Sequence, residues 1–402
     1  MKKSILYLTL LAILTSCTNS MVDEPTIREA AVETTSTQIP LETAIKTAER
    51  YVMSLQDHPT RTSSLEVGKI EYITPSKATR SCDQNPSYYI INFEDNEGFA
   101  IVPADTRLPQ EAYAFSNESS LSLQDTILNK SLSFFLNSLP SPDNYSNITR
   151  AIGDEDAKPV TTKLEKIVSP ILSYEVTNWH QGDPYNKYCP VKNDTICAVG
   201  CPAMAVGMIL SAFQYPKSYN GYSFPWFVIN FGSNKDYTAR MLQVIGSKSL
   251  LDQFYGIKVS GILFLETNKI EDTFTKLGYD YRTTVINEED MNSSLSQNSP
   301  VLVVGCNRTS NYGHVWAIDG YAHASETYST YTKDLGNYYH CVWGWGGKSN
   351  GYFRCLNLGT NNAGIGGDTP FVDSGGKIIN GPVFDQGVSL GVIIYYNFSI
   401  AK

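Results

Sequence analysis

One cysteine of this chain stands at a position suited to nucleophilic chemistry. Cys201 directly precedes Pro202 at the start of the apolar segment PAMAVGMILSAF, and Gly200 lies on its other side. Proline is favoured at the first position of a helix, and glycine allows a sharp turn into it. The positive end of the helix dipole favours a thiolate, which is the nucleophilic form of cysteine. A small buried cysteine without a chemical role is the alternative interpretation.

A thiol nucleophile needs a base, and the C-terminal half offers His180, His314, His323 and His340. His314 follows Gly313 and opens the strand-like segment VWAID, so the missing side chain at 313 leaves room for a substrate backbone. His340 is the rival, on what reads as the neighbouring strand, whereas the other two lie in polar, turn-like segments. For each histidine, a purely structural role is the alternative.

Stabilising an oxyanion requires hydrogen-bond donors. Gln181, in the segment NWHQGDPYN, can supply a side-chain amide, and the backbone N–H of Cys201 would be the second donor. A loop glutamine facing water is the alternative. The sequence has no HExxH motif, no CxxC pair and no GxSxG elbow, so it indicates neither a zinc site nor a serine nucleophile.

Hydrophobic periodicity predicts the elements around these residues. The N-terminal half reads as a helix from Leu41 to about Leu55, strands with a turn at Glu94–Gly98, and a helical stretch near Leu121–Leu139. The C-terminal half reads as the Cys201 helix and further helices at Ala239–Phe254 and Lys269–Leu277. A final series of strands predicts an antiparallel sheet, with the segments VLVVG, HVWAIDGYA, YYHCVWGWGG, GYFRC and GVSLGVIIYYNF.

Composition limits the classes of function. The chain has 402 residues, 42% of them hydrophobic, and a net charge of -9, which suits a multidomain globular protein and argues against nucleic-acid binding. Lys2 and Lys3 precede an apolar run that is too short to span a bilayer, and the run ends in Leu-Thr-Ser-Cys17. This pattern resembles a bacterial lipobox, so we expect export and lipidation of Cys17; an ordinary secretory signal is the alternative.

Seven cysteines remain when Cys17 is set aside, and an odd number leaves at least one thiol unpaired or paired between chains. The count does not identify that cysteine. Cys197 and Cys201 could be bridged in principle, which would silence the nucleophile.

Four ordered motifs carry a resemblance to a known family. WHQGDPYN, AVGCPAMAVGMILSAFQYP, GHVWAIDGYA and HCVWGWGGKSNGYF resemble the streptopain-like (C10) cysteine peptidases, a family with the papain fold. Upstream, YYIINFEDNEGFAIVPAD resembles the family's inhibitory propeptide. The resemblance implies Cys201 as nucleophile, His314 as its partner and Gln181 as an oxyanion-hole donor. It also implies that Trp343 lies beside the histidine and Gly313 along the substrate backbone, and that His340 is structural.

The sequence departs from the family pattern at two places. Val342 stands where the family commonly has Asn, so another group, such as Trp343 packing or a backbone carbonyl, must orient His314. The loop before the helix at Lys269–Leu277 is shorter than in many relatives and reads GIKVSGILFLETN, which leaves the side-chain preference open. Cys197 and Cys341 also raise the prospect of redox control.

We therefore predict an α+β protein: a papain-like peptidase domain, with a helical part carrying the cysteine and an antiparallel sheet carrying the histidine, preceded by a small α+β prodomain. The expected divisions are a signal peptide (1–16), a flexible tether (17–39), an inhibitory prodomain (40–140), an activation linker (141–160) and the peptidase domain (161–402).

The predicted function is an exported cysteine endopeptidase, held at a bacterial membrane through Cys17 and made as an inactive zymogen. Its partners would be protein or peptide substrates, its own prodomain, and an activating protease unless it processes itself; no cofactor is required. The anchored form would face the periplasm or the cell surface and could be released by processing. A non-catalytic surface lipoprotein that uses the same scaffold for binding or inhibition is the alternative, and another Cys-His acyl transfer, such as transglutamination, is a nearer one.

Overall fold

The structure is a computed structural model. It describes residues 37–55, 65–74, 85–108, 111–127, 130–137, 139–145, 161–263, 266–307, 312–327, 331–354, 369–372, 378–381, 383–384 and 388–401. The predicted signal peptide, Cys17 and residues 18–36 of the predicted tether lie outside these residues, as do residues 146–160 of the predicted linker.

The helices alternate with the strands along the chain. They are α1 (Leu41–Ser54), α2 (Lys130–Asn137), α3 (Tyr174–Thr177), α4 (Cys201–Phe213), α5 (Trp226–Phe231), α6 (Lys235–Ile245), α7 (Asn268–Lys276) and α8 (Glu288–Ser296), with 3₁₀ turns at Glu94–Asn96, Leu123–Ile127 and Pro142–Tyr145. Within the described residues, no helix has the length and apolar character needed to cross a membrane.

The first strands are β1 (Val67–Ile73), β2 (Tyr88–Phe93), β3 (Phe99–Pro103), β4 (Ala114–Ser116), β5 (Thr161–Val168), β6 (Val191–Lys192), β7 (Thr195–Ile196), β8 (Ser218–Tyr219) and β9 (Tyr222–Ser223). Then follow β10 (Tyr279–Val285), β11 (Val301–Asn307), β12 (Tyr312–Thr327), β13 (Thr332–Val342), β14 (Gly351–Arg354), β15 (Thr369–Val372), β16 (Ile378–Gly381), β17 (Val383–Phe384) and β18 (Val388–Ile400).

One sheet runs through both halves of the chain. Its strand order is β1-β2-β3-β4-β14-β13-β12-β11-β18-β10, with β5 also paired to β12 and β17 to β18. Each of these pairings is antiparallel, as expected from the alternating sequence pattern. The N-terminal strands therefore extend the sheet that carries His314, and residues Thr37–Lys402 form one compact unit.

The sequence-based boundaries agree with the structure where the periodicity is strong. The helix predicted from Leu41 to about Leu55 is α1, and the turn predicted at Glu94–Gly98 separates β2 from β3. The last strand, β18, lies inside the sheet between β11 and β10. His323, assigned to a turn-like segment, lies inside β12, where its Nδ1 bonds Asn337 Oδ1 at 2.9 Å.

Two predicted helices are shorter than expected, and three helices, α3, α5 and α8, were not predicted. The helix predicted to reach Phe254 ends at Ile245, because the chain turns at Gly246. The stretch near Leu121–Leu139 divides into a 3₁₀ turn and α2. α8 has a polar sequence, but its N-cap is a readable signal: the Asn287 side chain accepts a hydrogen bond from Asp290 N.

Some residues of the predicted tether and of the predicted linker form contacts with the N-terminal domain. Ile39 N donates to Ala104 O at 2.8 Å and Thr106 N donates to Thr37 O at 2.8 Å, so the folded unit begins before Pro40. At the other end, Asp143 of the predicted linker forms an ion pair at 3.3 Å with Arg107 of the predicted prodomain. The boundaries drawn from composition therefore remain predictions to be tested by limited proteolysis.

The central helix α4 packs on the face of β12 that carries Val315 and Ala317. Its residues from Pro202 to Ser211 are all buried, in a core shared with that face. Gly207 permits close packing against α6, since a Cβ there would lie 2.9 Å from Leu242 Cδ2. The opposite face of β12 carries Trp316 and packs in a second core that includes strands β2 and β3 of the N-terminal domain.

Candidate active site

The turn into α4 places Cys201 at the N-terminus of the helix. Gly200 caps the helix with φ +94°, a conformation that residues with a side chain rarely adopt. A Cβ on this residue would also lie 2.9 Å from Gln253 Oε1 and 3.0 Å from Ser260 O. Pro202 follows at the start of the helix, as the sequence predicted.

The chain leading to Cys201 is held by hydrogen bonds from two loops. Ser260 Oγ donates to Ala198 O at 2.7 Å, and Gln253 Nε2 donates to Val199 O. Val199 N donates to Gln181 O at 3.0 Å. These bonds fix the backbone that enters the turn, so the position of the thiol is set by tertiary contacts as well as by the helix.

The thiol of Cys201 is free and only partly exposed. Burial raises its pKa to about 11, although the backbone N–H groups of Val315 and of Cys201 itself oppose the increase. Desolvation therefore opposes the thiolate that the sequence analysis expects at this helix N-terminus. Cys197 is also a free thiol, so the bridge to Cys201 that the spacing allowed is not formed.

His314 lies on β12 and directly precedes Val315, whose backbone N–H bonds the Cys201 thiol. Its Nε2 is 3.2 Å from the backbone oxygen of Trp343, and because a carbonyl only accepts, Nε2 carries the proton. Burial lowers the pKa of His314 to about 4, while the bond to the Trp343 carbonyl opposes this shift. The imidazole is therefore neutral at pH 7, with Nδ1 as the unprotonated nitrogen.

Two tryptophan rings fix the plane of this imidazole. The rings of Trp316 and Trp345 lie nearly parallel to it, each with its centroid 6.3 Å from that of His314. The sequence analysis named neither residue in this role. A signal for Trp316 was present, because it stands two residues after His314 and side chains alternate along a strand; Trp345 belongs to an irregular turn and had no such signal.

Trp343, which the sequence analysis placed beside His314, contributes its backbone carbonyl. Its indole Nε1 donates to Ser349 O at 2.8 Å, and its backbone N donates to Asn350 Oδ1 at 3.1 Å. These bonds hold the carbonyl that His314 uses. Val342, at the position where Asn was expected, is fully buried in the core beneath α4.

Within the described part of the chain, Cys201 and His314 are not hydrogen-bonded to each other. The raised pKa of the thiol and the lowered pKa of the imidazole make both groups neutral at pH 7. Since a thiolate is the nucleophilic form, the raised pKa of Cys201 disfavours the nucleophilic form of this cysteine.

Gln181 lies beside the turn into α4, as its backbone bond to Val199 shows. It is 6% exposed, and among the described residues its amide has no hydrogen-bond partner. The alternative interpretation, a loop glutamine that faces water, is therefore wrong, because Gln181 is buried. An unpaired amide at this position is available to a ligand.

His340 occupies a different environment. Its Nδ1 lies 2.6 Å from Asp319 Oδ1 and its Nε2 lies 2.8 Å from Glu118 Oε1. Burial by itself lowers the pKa of His340, but the two carboxylates outweigh burial and raise it to about 10. A histidine held as a cation cannot act as a base at pH 7, so the rival base suggested by the sequence is not suited to that role.

Gly313 and His180, the other residues considered from the sequence, lie in β12 and in the segment before α4. Gly313 lies in β12 opposite Cys306 of β11. His180 is half-buried, with its ring against Tyr185 at 4.9 Å. In the part of the chain that the structure describes, no three His, Cys, Asp or Glu side chains are grouped so that they could hold a metal ion.

Comparisons with known proteins match this arrangement to two families. Residues 31–141 match the Spi protease inhibitor model, and residues 179–242 and 265–353 match the Peptidase C10 family model. The interruption at 243–264 contains most of the loop that the sequence analysis found to differ.

Two curated relatives extend over much of the chain. The thiol protease/hemagglutinin PrtT of Porphyromonas gingivalis is 24% identical over 380 residues, which span 80% of this chain and 39% of PrtT. Streptopain of Streptococcus pyogenes is 25% identical over 333 residues, which span 69% of this chain and 76% of streptopain.

Solved structures of interpain A from Prevotella intermedia are also similar. A prointerpain A fragment aligns with TM-score 0.46 and 19% identity, over 71% of this chain and 92% of the fragment. Active interpain A aligns with TM-score 0.38 and 19% identity, over 57% of this chain and 93% of that structure. On the two family matches and the motifs described above, residues 179–242 and 265–353 correspond to the C10 family of cysteine peptidases, and residues 31–141 in front of them correspond to a Spi-type protease inhibitor.

Proposed function

We propose that this chain is the zymogen of an exported, lipid-anchored cysteine endopeptidase that uses Cys201 and His314 as a catalytic dyad. The observation that carries the proposal is the state of His314. Its Nε2 is bound to the Trp343 carbonyl, so its free nitrogen, Nδ1, is the one available to take a proton from the Cys201 thiol. Val315, which follows His314 in β12, bonds that thiol through its backbone N–H, and a neutral imidazole together with a cysteine at a helix N-terminus is the pair of groups that nucleophilic catalysis uses.

The proposed reaction proceeds in two steps. His314 Nδ1 takes the thiol proton as Cys201 Sγ attacks the peptide carbonyl carbon, and the protonated imidazole then gives that proton to the leaving amine. A water molecule, deprotonated by the same nitrogen, hydrolyses the resulting thioester and releases the acid and the free thiol. The amide of Gln181 and the backbone N–H of Cys201 would donate to the oxyanion in both steps.

The zymogen proposal rests on the neutral state of both groups in the full chain. Strands of the N-terminal domain share the core that contains Trp316 and Trp343, which are the residues around His314. Release of that domain would admit water to the site, lower the desolvation of both groups and bring the pKa values of the thiol and the imidazole closer together. The thiolate would then become accessible near pH 7.

Export and anchoring rest on the sequence of the N-terminus. Lys2, Lys3, the apolar run and the Leu-Thr-Ser-Cys17 segment support cleavage before Cys17 and acylation of its thiol. Several acyl chains hold a protein stably on a membrane, because each buried CH₂ contributes about 0.8 kcal/mol. Cleavage in 146–160 would then separate the peptidase domain from the anchored part.

A non-catalytic binding module is the second candidate, favoured by the raised pKa of Cys201 and by Val342. The experiment that separates the two treats the full chain and the chain cleaved in 146–160 with an electrophilic peptide that labels active thiols. Mass spectrometry then reports the labelled cysteine, the cleavage site and any lipid on Cys17 together. We expect labelling of Cys201 only after cleavage, and none in the Cys201→Ala control.

The same experiment has outcomes that would contradict the proposal. A cleaved chain whose Cys201 stays unlabelled would support the binding module. Equal labelling before and after cleavage would show that the N-terminal domain does not control the thiol. Formation of amide products with an added free amine, instead of hydrolysis, would indicate a transferase.

A further inference from the structure

The buried cation His340 joins the two domains. It lies on β13 of the peptidase half and is only 2% exposed. Asp319, on the neighbouring strand β12, belongs to the same half, whereas Glu118 belongs to the N-terminal domain and follows β4. Asp319 also accepts a hydrogen bond from Leu172 N at 3.0 Å, so it is held within the peptidase half.

The segment that carries Glu118 lies along the edge of the peptidase sheet. β4 pairs with β14 through Phe115 opposite Tyr352, and Arg354 N donates to Tyr113 O at 3.0 Å. Past Glu118, Ser349 N donates to Ser120 O at 3.1 Å. Residues 112–120 therefore form an added strand and its extension, held at both ends by backbone hydrogen bonds.

Backbone pairing of this kind does not distinguish one strand from another, because every strand offers the same groups. Selectivity must come from side chains. A protonated imidazole donates from both ring nitrogens, and Asp319 can accept from only one of them. The second donor of His340 therefore needs an acceptor from outside the peptidase half, and a carboxylate is the acceptor that also balances charge.

We propose that His340, Asp319 and the edge of β14 form a binding site for an extended segment that presents one carboxylate, which residues 112–120 occupy through Glu118 in the full chain. This inference rests on the proposed inhibitory role of the N-terminal domain, and it names the contact that retains that domain. A small cavity of about 170 Å³ beside Glu118 and His340 gives solvent a path to the pair.

The site makes retention of the segment sensitive to acid. The charged groups that face His340 are Asp319 and Glu118, and the ring of Tyr352 lies 5.1 Å from its ring. The Glu118 side chain is 43% exposed, so it can take up a proton without prior opening. Protonated Glu118 no longer balances the imidazolium, and the segment is then held less tightly.

A second ion pair between the domains provides a contrast. Arg50 of α1 lies 3.3 Å from Glu326 of β12, and Glu326 is fully buried. Arginine keeps its charge at every accessible pH, and burial keeps protons from reaching this carboxylate until the domains open. We therefore expect acid to loosen residues 112–120 before it loosens α1.

Hydrogen–deuterium exchange of the full chain tests the proposal. All variants carry Cys201→Ala, so that no self-cleavage can occur and the outcome is independent of whether the protein is a peptidase. Glu118→Gln keeps the shape of the side chain and removes its charge. Glu66→Gln is the matched control, because Glu66 is exposed in the same domain and, among the described residues, its side chain forms no hydrogen bond or ion pair with the peptidase half.

We expect at least tenfold faster exchange in residues 112–120 and 351–354 of Glu118→Gln at pH 7, with no change in Glu66→Gln. In the parent chain, exchange corrected for its intrinsic pH dependence should rise in these residues as the pH falls below about 4.3, the ordinary pKa of a glutamate, since pairing with a cation lowers the pKa of a carboxyl group. In Glu118→Gln this rise should be absent. His340→Gln should show the same faster exchange, and adding Glu118→Gln to it should have little further effect.

The proposal is overturned if Glu118→Gln exchanges like the parent, or if the acid-dependent rise persists in that variant. Additive effects of the two substitutions would also overturn it, since residues acting through one contact are not additive. Failure of the proposed peptidase activity would leave all of these measurements unchanged.

Discussion

Two buried histidines on neighbouring strands behave in opposite ways. His314 on β12 and His340 on β13 are 5% and 2% exposed, so their desolvation is similar. The pKa of His314 falls to about 4 and that of His340 rises to about 10. The difference lies in their partners, because His314 meets a neutral carbonyl and two aromatic rings, whereas His340 meets two carboxylates.

This difference separates the role of a base from that of an anchor. A neutral imidazole with one committed nitrogen can accept a proton on the other, which a general base must do. A histidine that is held as a cation can instead balance buried negative charge over the whole physiological range. Burial alone therefore does not assign a role; the charge of the neighbouring groups decides it.

The test with the largest expected effect replaces each of the two histidines in turn in the mature, cleaved enzyme. We expect His314→Ala to reduce kcat/KM by about 10⁴-fold or more, as loss of the base does in related mechanisms. His340→Gln should keep the kcat of the folded fraction nearly unchanged. Steady-state kinetics with active-site titration of the folded enzyme measures both, and a loss of kcat in His340→Gln would refute the division of roles.

The second test concerns stability. His340→Gln in a Cys201→Ala background should lower the free energy of unfolding by about 3–5 kcal/mol at pH 6, because it leaves Asp319 buried without its cation. The pKa of His340 is higher in the folded than in the unfolded chain, so its contribution is full below about pH 6.5 and is lost as pH rises toward 10. The difference between parent and variant should therefore shrink over that range.

Urea unfolding at several pH values measures this difference between the parent and His340→Gln.

The pH dependence of stability should have the reverse sign for His314, because its pKa is lower in the folded than in the unfolded chain. The contribution of His314 to the free energy of unfolding should be full above about pH 6.5 and should fall between pH 6.5 and pH 4. The variant His314→Gln, which cannot be protonated, is the reference for that part. The same direction of pH dependence for both residues would contradict the comparison.

The smallest expected effect on kcat comes from Val342→Asn. This substitution supplies the amide that the family pattern would place near His314. Because Trp343 O already holds Nε2, we expect no gain in kcat. Burying an amide in an apolar core should lower stability by about 1–3 kcal/mol. Val342→Thr is the control for a smaller polar change, and a tenfold rise in kcat for Val342→Asn would show that the carbonyl is a poor substitute.

Local sequence signals predicted many of the helices and strands. The periodicity of residues 41–55 predicted α1, and the Gly-Cys-Pro order predicted the start of α4, because these patterns act within a few residues. The alternation of the late strands predicted an antiparallel sheet, which formed. Phe254 was wrongly included in a helix, since the turn at Gly246 depends on contacts with Gln253 and Tyr255 that the pattern does not contain.

The parts of the site that were missed depend on distant contacts. Trp345 reaches His314 only because the turn after β13 folds back toward β12, and Glu118 reaches His340 only because β4 joins β14. Neither pairing has a signature in local sequence. The continuous sheet across both domains was likewise unforeseen, since each half reads as complete in its own pattern.

The sequence by itself determined which residue types were available: a cysteine at a helix start, a histidine after glycine, a glutamine upstream and an inhibitor-like segment in front. Tertiary structure alone decided their chemical states. Residues far apart in sequence set the local dielectric and the nearby charges, and these determine whether a thiol is neutral, an imidazole is a base, or a second imidazole is a permanent cation.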